Sequence, residues 1–170
     1  PVPTSPAHDC YGMADGNDSA AVINALNWGT GWALAAKDDI GGSDTSNTVL
    51  SVNWSLVAAS GSSGGWTLTG TSSTPGVLPG YFDFVGVVKG GDGWAAYLFD
   101  NVLFDGSGGG TWSITFLNNG GKIPGLSHFS IYTRAGTAPP PPGSSVPVPG
   151  TLLLAALAAA ALLGTTRRRQ

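Results

Sequence analysis

Few side chains in this sequence could carry out acid–base or nucleophilic chemistry. The chain has two histidines, His8 and His128, and one cysteine, Cys10. His8 and Cys10 are a pair of soft metal ligands, but two ligands do not make a zinc site. His128 lies in a predicted strand, where alternation places it on the same face as Ser130 and Tyr132. Because no serine in a nucleophile elbow and no suitably spaced base accompany His128, we predict a structural or surface histidine, no catalytic residues and no enzymatic activity.

A group of acidic and amide side chains near the start of the chain could bind a metal ion. Asp9, Asp15, Asn17 and Asp18 lie close together in a turn-rich segment. They offer the hard oxygen ligands that Ca²⁺ prefers, although the glutamate that closes an EF-hand loop is missing. The alternative is a solvated acidic loop with Asx turns. We favour this second interpretation, in which the protein needs no cofactor.

Aromatic side chains are the third group of candidates, because their faces can stack on sugar rings. Most of the six tryptophans begin or lie within predicted strands, where their volume is needed in a core. Trp28 and Trp32 differ, since glycines flank both of them in a predicted loop. We expect these two rings to be exposed and to form the binding site if the protein binds a carbohydrate.

The composition predicts a mostly β fold with an acidic surface. Glycine supplies 27 of the 170 residues, glutamate is absent, and strong helix formers other than alanine are few before residue 150. All ten acidic residues are aspartates, whereas three of the seven basic residues lie at the C-terminal end. We therefore do not expect a nucleic-acid partner for the acidic body. A single cysteine also excludes an intramolecular disulfide.

Seven or eight short strands are predicted in the body of the chain. The clearest strand covers residues 48–58, and its predicted core-facing residues are Leu50, Val52, Trp54 and Leu56. We expect it to form a hairpin with the strand around Leu68. Residues 81–89 and 94–100 are apolar on both faces, and the short glycine-rich turn between them predicts a central hairpin. This pattern predicts an antiparallel β-sandwich similar to a jelly roll.

The sequence divides into four segments by composition. Residues 1–20 are a turn-rich N-terminal arm, residues 21–137 form the sandwich, residues 138–150 are a proline-rich linker, and residues 151–170 are an apolar helix with an arginine cluster. Four consecutive prolines in the linker favour stiff polyproline II, at about 3.1 Å per residue. We expect this linker to hold the sandwich away from a membrane.

The C-terminal segments combine three features of different chemistry in a fixed order. They are an extended Pro-x-Pro motif (Val146, Pro147, Val148, Pro149), an uncharged stretch (residues 151–166) and a membrane stop (Arg167, Arg168, Arg169). The uncharged stretch would form a helix of about 24 Å, which is marginal for a hydrocarbon core of about 30 Å. Because cytoplasmic flanks carry the arginine excess, we expect the C-terminus inside and the body outside.

This order of motifs resembles the PEP-CTERM sorting signal of exported bacterial proteins, with Val148 at the place of the usual glutamate. The ordered motifs in residues 89–100, 110–112 and 125–132 also look like the body found in many proteins of that family. The resemblance implies that an exosortase cuts the chain near the Pro-x-Pro motif. The family body has no catalytic activity that can be transferred to this chain. An ordinary tail anchor is the alternative interpretation.

These observations together predict a non-catalytic exported protein of the cell surface or the extracellular matrix. The resemblance implies an exosortase and extracellular polysaccharide as partners, and the apolar tail predicts transient contact with the inner membrane. The sequence begins at Pro1 without the basic and apolar regions of a signal peptide, so we expect the targeting signal to be missing from it. The alternatives are a carbohydrate-binding module stabilised by Ca²⁺, a simple tail-anchored surface protein, or a hydrolase.

Overall fold

A computed structural model of the chain describes residues 6–140. In this range the chain forms ten β-strands and one short helix. In chain order the elements are β1 (Asp9–Asp15), α1 (Ala20–Asn24), β2 (Ala33–Asp39), β3 (Thr45–Ser46), β4 (Thr48–Val49), β5 (Val52–Ala58), β6 (Ser63–Thr71), β7 (Gly80–Gly90), β8 (Gly93–Phe104), β9 (Ser107–Ser113) and β10 (Leu126–Ala135).

The strands form two antiparallel sheets. The larger has six strands in the order β1-β8-β7-β10-β2-β3, and the smaller has four strands in the order β4-β5-β6-β9. Every neighbouring pair of strands is antiparallel. The mostly β, sandwich-like fold predicted from the sequence is confirmed at this level.

The main hydrophobic core packs the inner faces of the two sheets together. Its centre is an aromatic cluster around Trp54 of β5, whose ring lies 5.4 Å from Phe82, 5.6 Å from Phe84 and 5.1 Å from Phe104 between ring centroids. The hairpin predicted between the strands of Val52 and Leu68 is present as β5 and β6, and it faces this core. Burial of these large rings supplies much of the driving force for folding.

A second hydrophobic core covers the outer face of the six-stranded sheet. Helix α1 and the loop that follows it, containing Trp28 and Trp32, pack on Val85, Val87 and the outward residues of β8. This second cover explains why β7 and β8 are apolar on both faces: each strand is buried between two cores. The predicted hairpin of these two strands is confirmed, with Gly91 and Asp92 at its turn.

One predicted core residue is on the surface. Leu50 is 43% exposed, because it forms with Ser51 a two-residue turn between β4 and β5. Both residues have positive φ, at 55° and 62°, as the tight hairpin turn that matches strand twist requires. The expectation that residues 48–58 form one continuous strand is therefore wrong at its start, although Val52, Trp54 and Leu56 are buried as predicted.

The N-terminal segment contains more regular structure than its turn-rich sequence suggested. Strand β1 pairs with β8 at one edge of the six-stranded sheet. The apolar stretch after it forms the short helix α1. Ser19 accepts a hydrogen bond from the backbone N–H of Val22 through its hydroxyl and so acts as the helix N-cap. Ile23 on this helix is fully buried in the second core.

The compact unit that contains both sheets ends at Ala138, and a separate unit comprises Pro139–Gln170. No helix within residues 6–140 is long and apolar enough to cross a membrane. The predicted Pro-x-Pro motif, apolar helix and arginine cluster lie outside the described residues, as does most of the predicted linker.

Arg134 of β10 holds the tryptophan loop against the sheet. Its Nε donates to Asp83 Oδ2 at 2.8 Å, and its Nη1 donates to the backbone oxygen of Trp28 at 2.7 Å. The guanidinium carbon also lies 4.2 Å from the ring centre of Trp32, within the range of a cation–π contact. One planar side chain thus joins the carboxylate, the loop backbone and the ring.

We expect Arg134→Lys to lower the free energy of unfolding by about 1–2 kcal/mol, because an ammonium group cannot make these contacts together. Urea unfolding of the full chain measures the change. Lys122→Ala is the control, since it removes a cation from an exposed position and should change stability by less than about 0.5 kcal/mol. Equal effects of the two substitutions would contradict the role given to the guanidinium plane.

Candidate functional site

A buried polar cluster joins Asp18 to His128 and Tyr132 of β10. His128 Nε2 lies 2.5 Å from Asp18 Oδ1, and the Tyr132 hydroxyl donates to Asp18 Oδ2 at 2.7 Å. The side chains of His128 and Asp18 are only 9% and 3% exposed. Both carboxylate oxygens of Asp18 are therefore occupied by partners on one strand, and the cluster fixes the loop before α1 to the sheet.

The electrostatics of this cluster favour a charged Asp18. Burial by itself raises the pKa of Asp18, but the hydrogen bonds from His128 and Tyr132 and the charge of His128 outweigh it, so this pKa lies below its ordinary value. Burial, followed by the charge and hydrogen bond of Asp18, raises the pKa of Tyr132 well above its usual range. Tyr132 accordingly stays protonated and donates, while Asp18 accepts.

The predicted alternation of β10 is confirmed, but the sequence did not reveal that Asp18 pairs with His128. His128, Ser130 and Tyr132 share the outer face of the sheet, opposite the inward rings of the main core. Ser130 is fully buried, and its hydroxyl makes no regular hydrogen bond, although it lies near enough to Asp18 to favour the charged carboxylate. With its ring covered and bonded to Asp18, His128 has the geometry of a structural residue.

The free energy of unfolding should decrease in acid, because Asp18 becomes protonated. Because the pKa of Asp18 in the folded chain lies below the ordinary 3.8, its contribution is complete above that pH and is lost as pH falls through the folded-state pKa. Urea unfolding of the full chain from pH 7 down to about pH 2 should show a shallower acid decline for Asp18→Asn than for the native chain. Asp15→Asn, at an exposed position, should leave the decline unchanged; identical acid profiles for both variants would refute the assignment.

The residues considered for Ca²⁺ do not converge on one point. Within residues 6–140 no group of three or more histidine, cysteine, aspartate or glutamate side chains could hold a metal ion. Asp9 accepts hydrogen bonds from the Trp28 indole at 2.7 Å and from the backbone of Cys10, and Asp18 is bonded to β10. Asp15 and Asn17 are exposed at the end of β1 and beyond it. Asp9 and Asp18 therefore direct their carboxylates to other partners, and the four residues do not gather into a ligand set for Ca²⁺.

Trp28 and Trp32 are buried, so the expectation that they are exposed is wrong. They are 9% and 3% exposed and belong to the second core. Asn24 explains the position of Trp32, since its side-chain amide accepts from the Trp32 N–H at 3.0 Å and donates to the Trp32 oxygen at 2.8 Å. The flanking glycines allow the loop to fold inward, and neither ring offers a free face for a sugar.

The two remaining candidates for chemistry lie apart from the buried cluster. His8 accepts a hydrogen bond from the backbone N–H of Asp100 at 2.8 Å through Nδ1. Cys10 is a free, exposed thiol on β1. Within the described residues, neither His8 nor Cys10 belongs to a group of three or more side chains that could hold a metal ion.

A cavity of about 520 Å³ lies between the two sheets beside β9. On the six-stranded sheet its wall includes Tyr97, Phe99 and Val102 of β8, which are half-buried and therefore still reached by solvent. Strand β9 is an edge strand that pairs only with β6, so the sandwich is open on this side. The residues that line the cavity include no charged side chain.

Two glycines on the inner face of β9 line this cavity. Gly108 lies opposite Leu68 and Gly110 lies opposite Trp66 in the pairing of β9 with β6. Residues directly opposite each other in an antiparallel pair share a face, so both glycines face the core without a side chain. The alternation of residues 107–113 contains this signal, but a glycine-rich stretch is equally typical of a flexible turn.

Comparison of the chain with protein-family models, curated proteins and solved structures found no match.

Proposed function

We propose that this chain is a non-catalytic exported protein of the cell surface or extracellular matrix, sorted and cleaved through its C-terminal signal by an exosortase. The observation that carries the proposal is the order of three chemistries at the C-terminus: Pro147 and Pro149, the uncharged residues 151–166, and the arginines 167–169. The arginines favour retention of the C-terminus on the cytoplasmic side. Prolines favour an extended backbone, which would suit binding to a processing enzyme.

The fold of the body is consistent with this proposal. The compact unit with both sheets ends at Ala138, directly before the run of four prolines, so the proposed cleavage segment begins several residues beyond the last strand. The jelly-roll-like connectivity, the stiff linker and the short membrane helix expected from the sequence stay predictions and are part of the same proposal. The chain in the inner membrane is then an intermediate on the way to the surface.

The state of the potential catalytic residues also supports a binding or structural role. His128 is covered and bonded to Asp18, and His8 uses Nδ1 to accept a backbone hydrogen bond. A general base must reach the proton that it removes from a substrate, and the covered ring of His128 is poorly placed for that role. Association with extracellular polysaccharide follows from the family resemblance, and it is proposed here without a defined sugar site.

Mass spectrometry of the mature protein tests the proposed sorting. In a bacterium with an exosortase we expect a C-terminus near Pro149, and in an otherwise identical strain without the enzyme we expect the chain to extend to Gln170. Replacing Arg167, Arg168 and Arg169 together by serine should also prevent cleavage, because the stop on the cytoplasmic side is lost. A native chain that keeps Gln170 in the membrane fraction of the exosortase strain would instead identify a tail anchor.

A further inference from the structure

We propose that the cavity beside β9 binds a small, uncharged, mainly apolar molecule that carries a hydrogen-bond acceptor. At about 520 Å³ the cavity has the size of small-molecule sites, which are usually about 300–1,000 Å³. Protein interiors are otherwise close-packed, with few voids larger than a water molecule. A space of this size between two well-packed sheets therefore calls for an occupant. This binding is independent of the sorting proposed above.

The side chains around the cavity do not require it to stay empty for the fold to pack well. A methyl group added at Gly86 of β7 would meet Ile131 and Phe129 at 3.6 and 3.7 Å, which is ordinary contact. Gly70 is different, because the same addition would come within 2.9 Å of both Phe104 and Val52. Packing around Trp54 requires a glycine at position 70, whereas the neighbours of Gly86 would accept a side chain. The missing side chain at Gly86 leaves room that the fold itself does not need.

The walls define the chemical class of the ligand. Aromatic rings line both sides of the cavity, with Trp66 and Trp112 on the four-stranded sheet and Tyr97 and Phe99 on the six-stranded sheet. Trp66 is also stacked on Phe129, with ring centroids 5.5 Å apart. Sugars and ions need several polar or charged partners, and the walls offer few polar groups and no charge. A flat apolar molecule is the class that fits.

Two polar groups on the walls call for an acceptor in the ligand. Trp112 is only 6% exposed, and its indole N–H has no hydrogen-bond partner among the described residues. Buried donors are nearly always paired, so a carbonyl or ether oxygen of the ligand would supply the missing partner. Burial raises the pKa of Tyr97, which lines the cavity, so the Tyr97 phenol stays protonated as a second donor.

The test uses the full chain and prodan, an uncharged naphthyl ketone whose fluorescence moves to shorter wavelength in apolar surroundings. We expect saturable binding to the native chain and at least about tenfold weaker binding to Gly86→Leu, because the added side chain fills the cavity. Thr67→Leu is the matched control: it adds the same side chain at an exposed position of the neighbouring β6, and prodan affinity should not change. All variants keep the C-terminal apolar segment, so binding of dye to that segment contributes equally.

Two further variants distinguish a loss of prodan binding from a folding defect. Gly86→Ala introduces only ordinary contacts and should retain the native melting temperature while weakening prodan a few-fold. Trp112→Phe removes the N–H and should weaken prodan about threefold to tenfold, the value of one hydrogen bond. Absence of saturable prodan binding to the native chain, or equal affinity of the native chain and folded Gly86→Leu, would overturn the proposal.

Discussion

Trp54→Ala is expected to lower the free energy of unfolding by about 3–5 kcal/mol, the usual cost of removing a large buried aromatic side chain. Trp54 is 1% exposed and contacts three phenylalanine rings of the opposite sheet at centroid distances of 5.1–5.6 Å. Its indole also donates to the backbone oxygen of Val49 at 3.1 Å. The substitution leaves a cavity between the sheets and removes the hydrogen bond that the indole donates to Val49. Urea unfolding of the full chain measures the loss.

Two controls separate volume from hydrogen bonding at this position. Trp54→Phe keeps part of the ring volume and loses the bond to Val49, so we expect a loss of about 1–3 kcal/mol. Val57→Ala changes the same strand on its outer face, where Val57 is 65% exposed, and should cost no more than about 0.5 kcal/mol. A Trp54→Ala chain as stable as Val57→Ala would show that this cluster does not hold the sheets together.

The burial of Trp54 was predictable because it depends on a local pattern. Alternation with period two places Val52, Trp54 and Leu56 on one face, and any sheet with one buried face will bury them. Leu50 obeys the same alternation but lies in a turn whose backbone has positive φ at two non-glycine residues. Such turns usually contain asparagine or glycine. Leu50 and Ser51 are neither of these residue types, so the break between β4 and β5 could not be predicted from the sequence.

The second core was harder to predict because it depends on long-range contacts. Trp28 and Trp32 lie in a loop, each next to a glycine, and this local pattern is typical of exposed residues. Their burial depends on Asn24, which bonds to Trp32, and on Arg134, which is more than 100 positions away along the chain. The apolar outer faces of β7 and β8 were the available signal, since a strand that is apolar on both faces needs a cover on each side.

The polar network also lay beyond sequence reasoning. Asp18 and His128 are separated by 110 positions, and in the sequence each has another plausible role, as a Ca²⁺ ligand or as an isolated histidine. The alternation of β10 correctly placed His128 beside Tyr132. What the alternation cannot give is the partner that reaches this face, because that depends on the path of the loop before α1.

Asp18→Ala is expected to lower the free energy of unfolding by about 3 kcal/mol or more, since removing one member of a buried polar cluster leaves its partners unsatisfied. The His128 ring and the Tyr132 hydroxyl would both lose their acceptor, in surroundings where water reaches them poorly. The loop that enters α1 would lose its attachment to β10 as well. Urea unfolding of the full chain at pH 7 measures the change, and Asp15→Ala is the matched control at an exposed position of the same segment.

A double-mutant cycle then distinguishes the network from the local effect of Asp18 on its loop. If Asp18 acts through His128, Asp18→Ala combined with His128→Ala should cost clearly less than the two single losses together, because contacting residues are not additive. Tyr132→Phe removes the second donor and should cost about 1 kcal/mol, because one hydrogen bond is lost. Strict additivity of Asp18→Ala and His128→Ala, or a loss for Asp18→Ala no larger than that for Asp15→Ala, would mean that the cluster contributes little to the stability of the sheet.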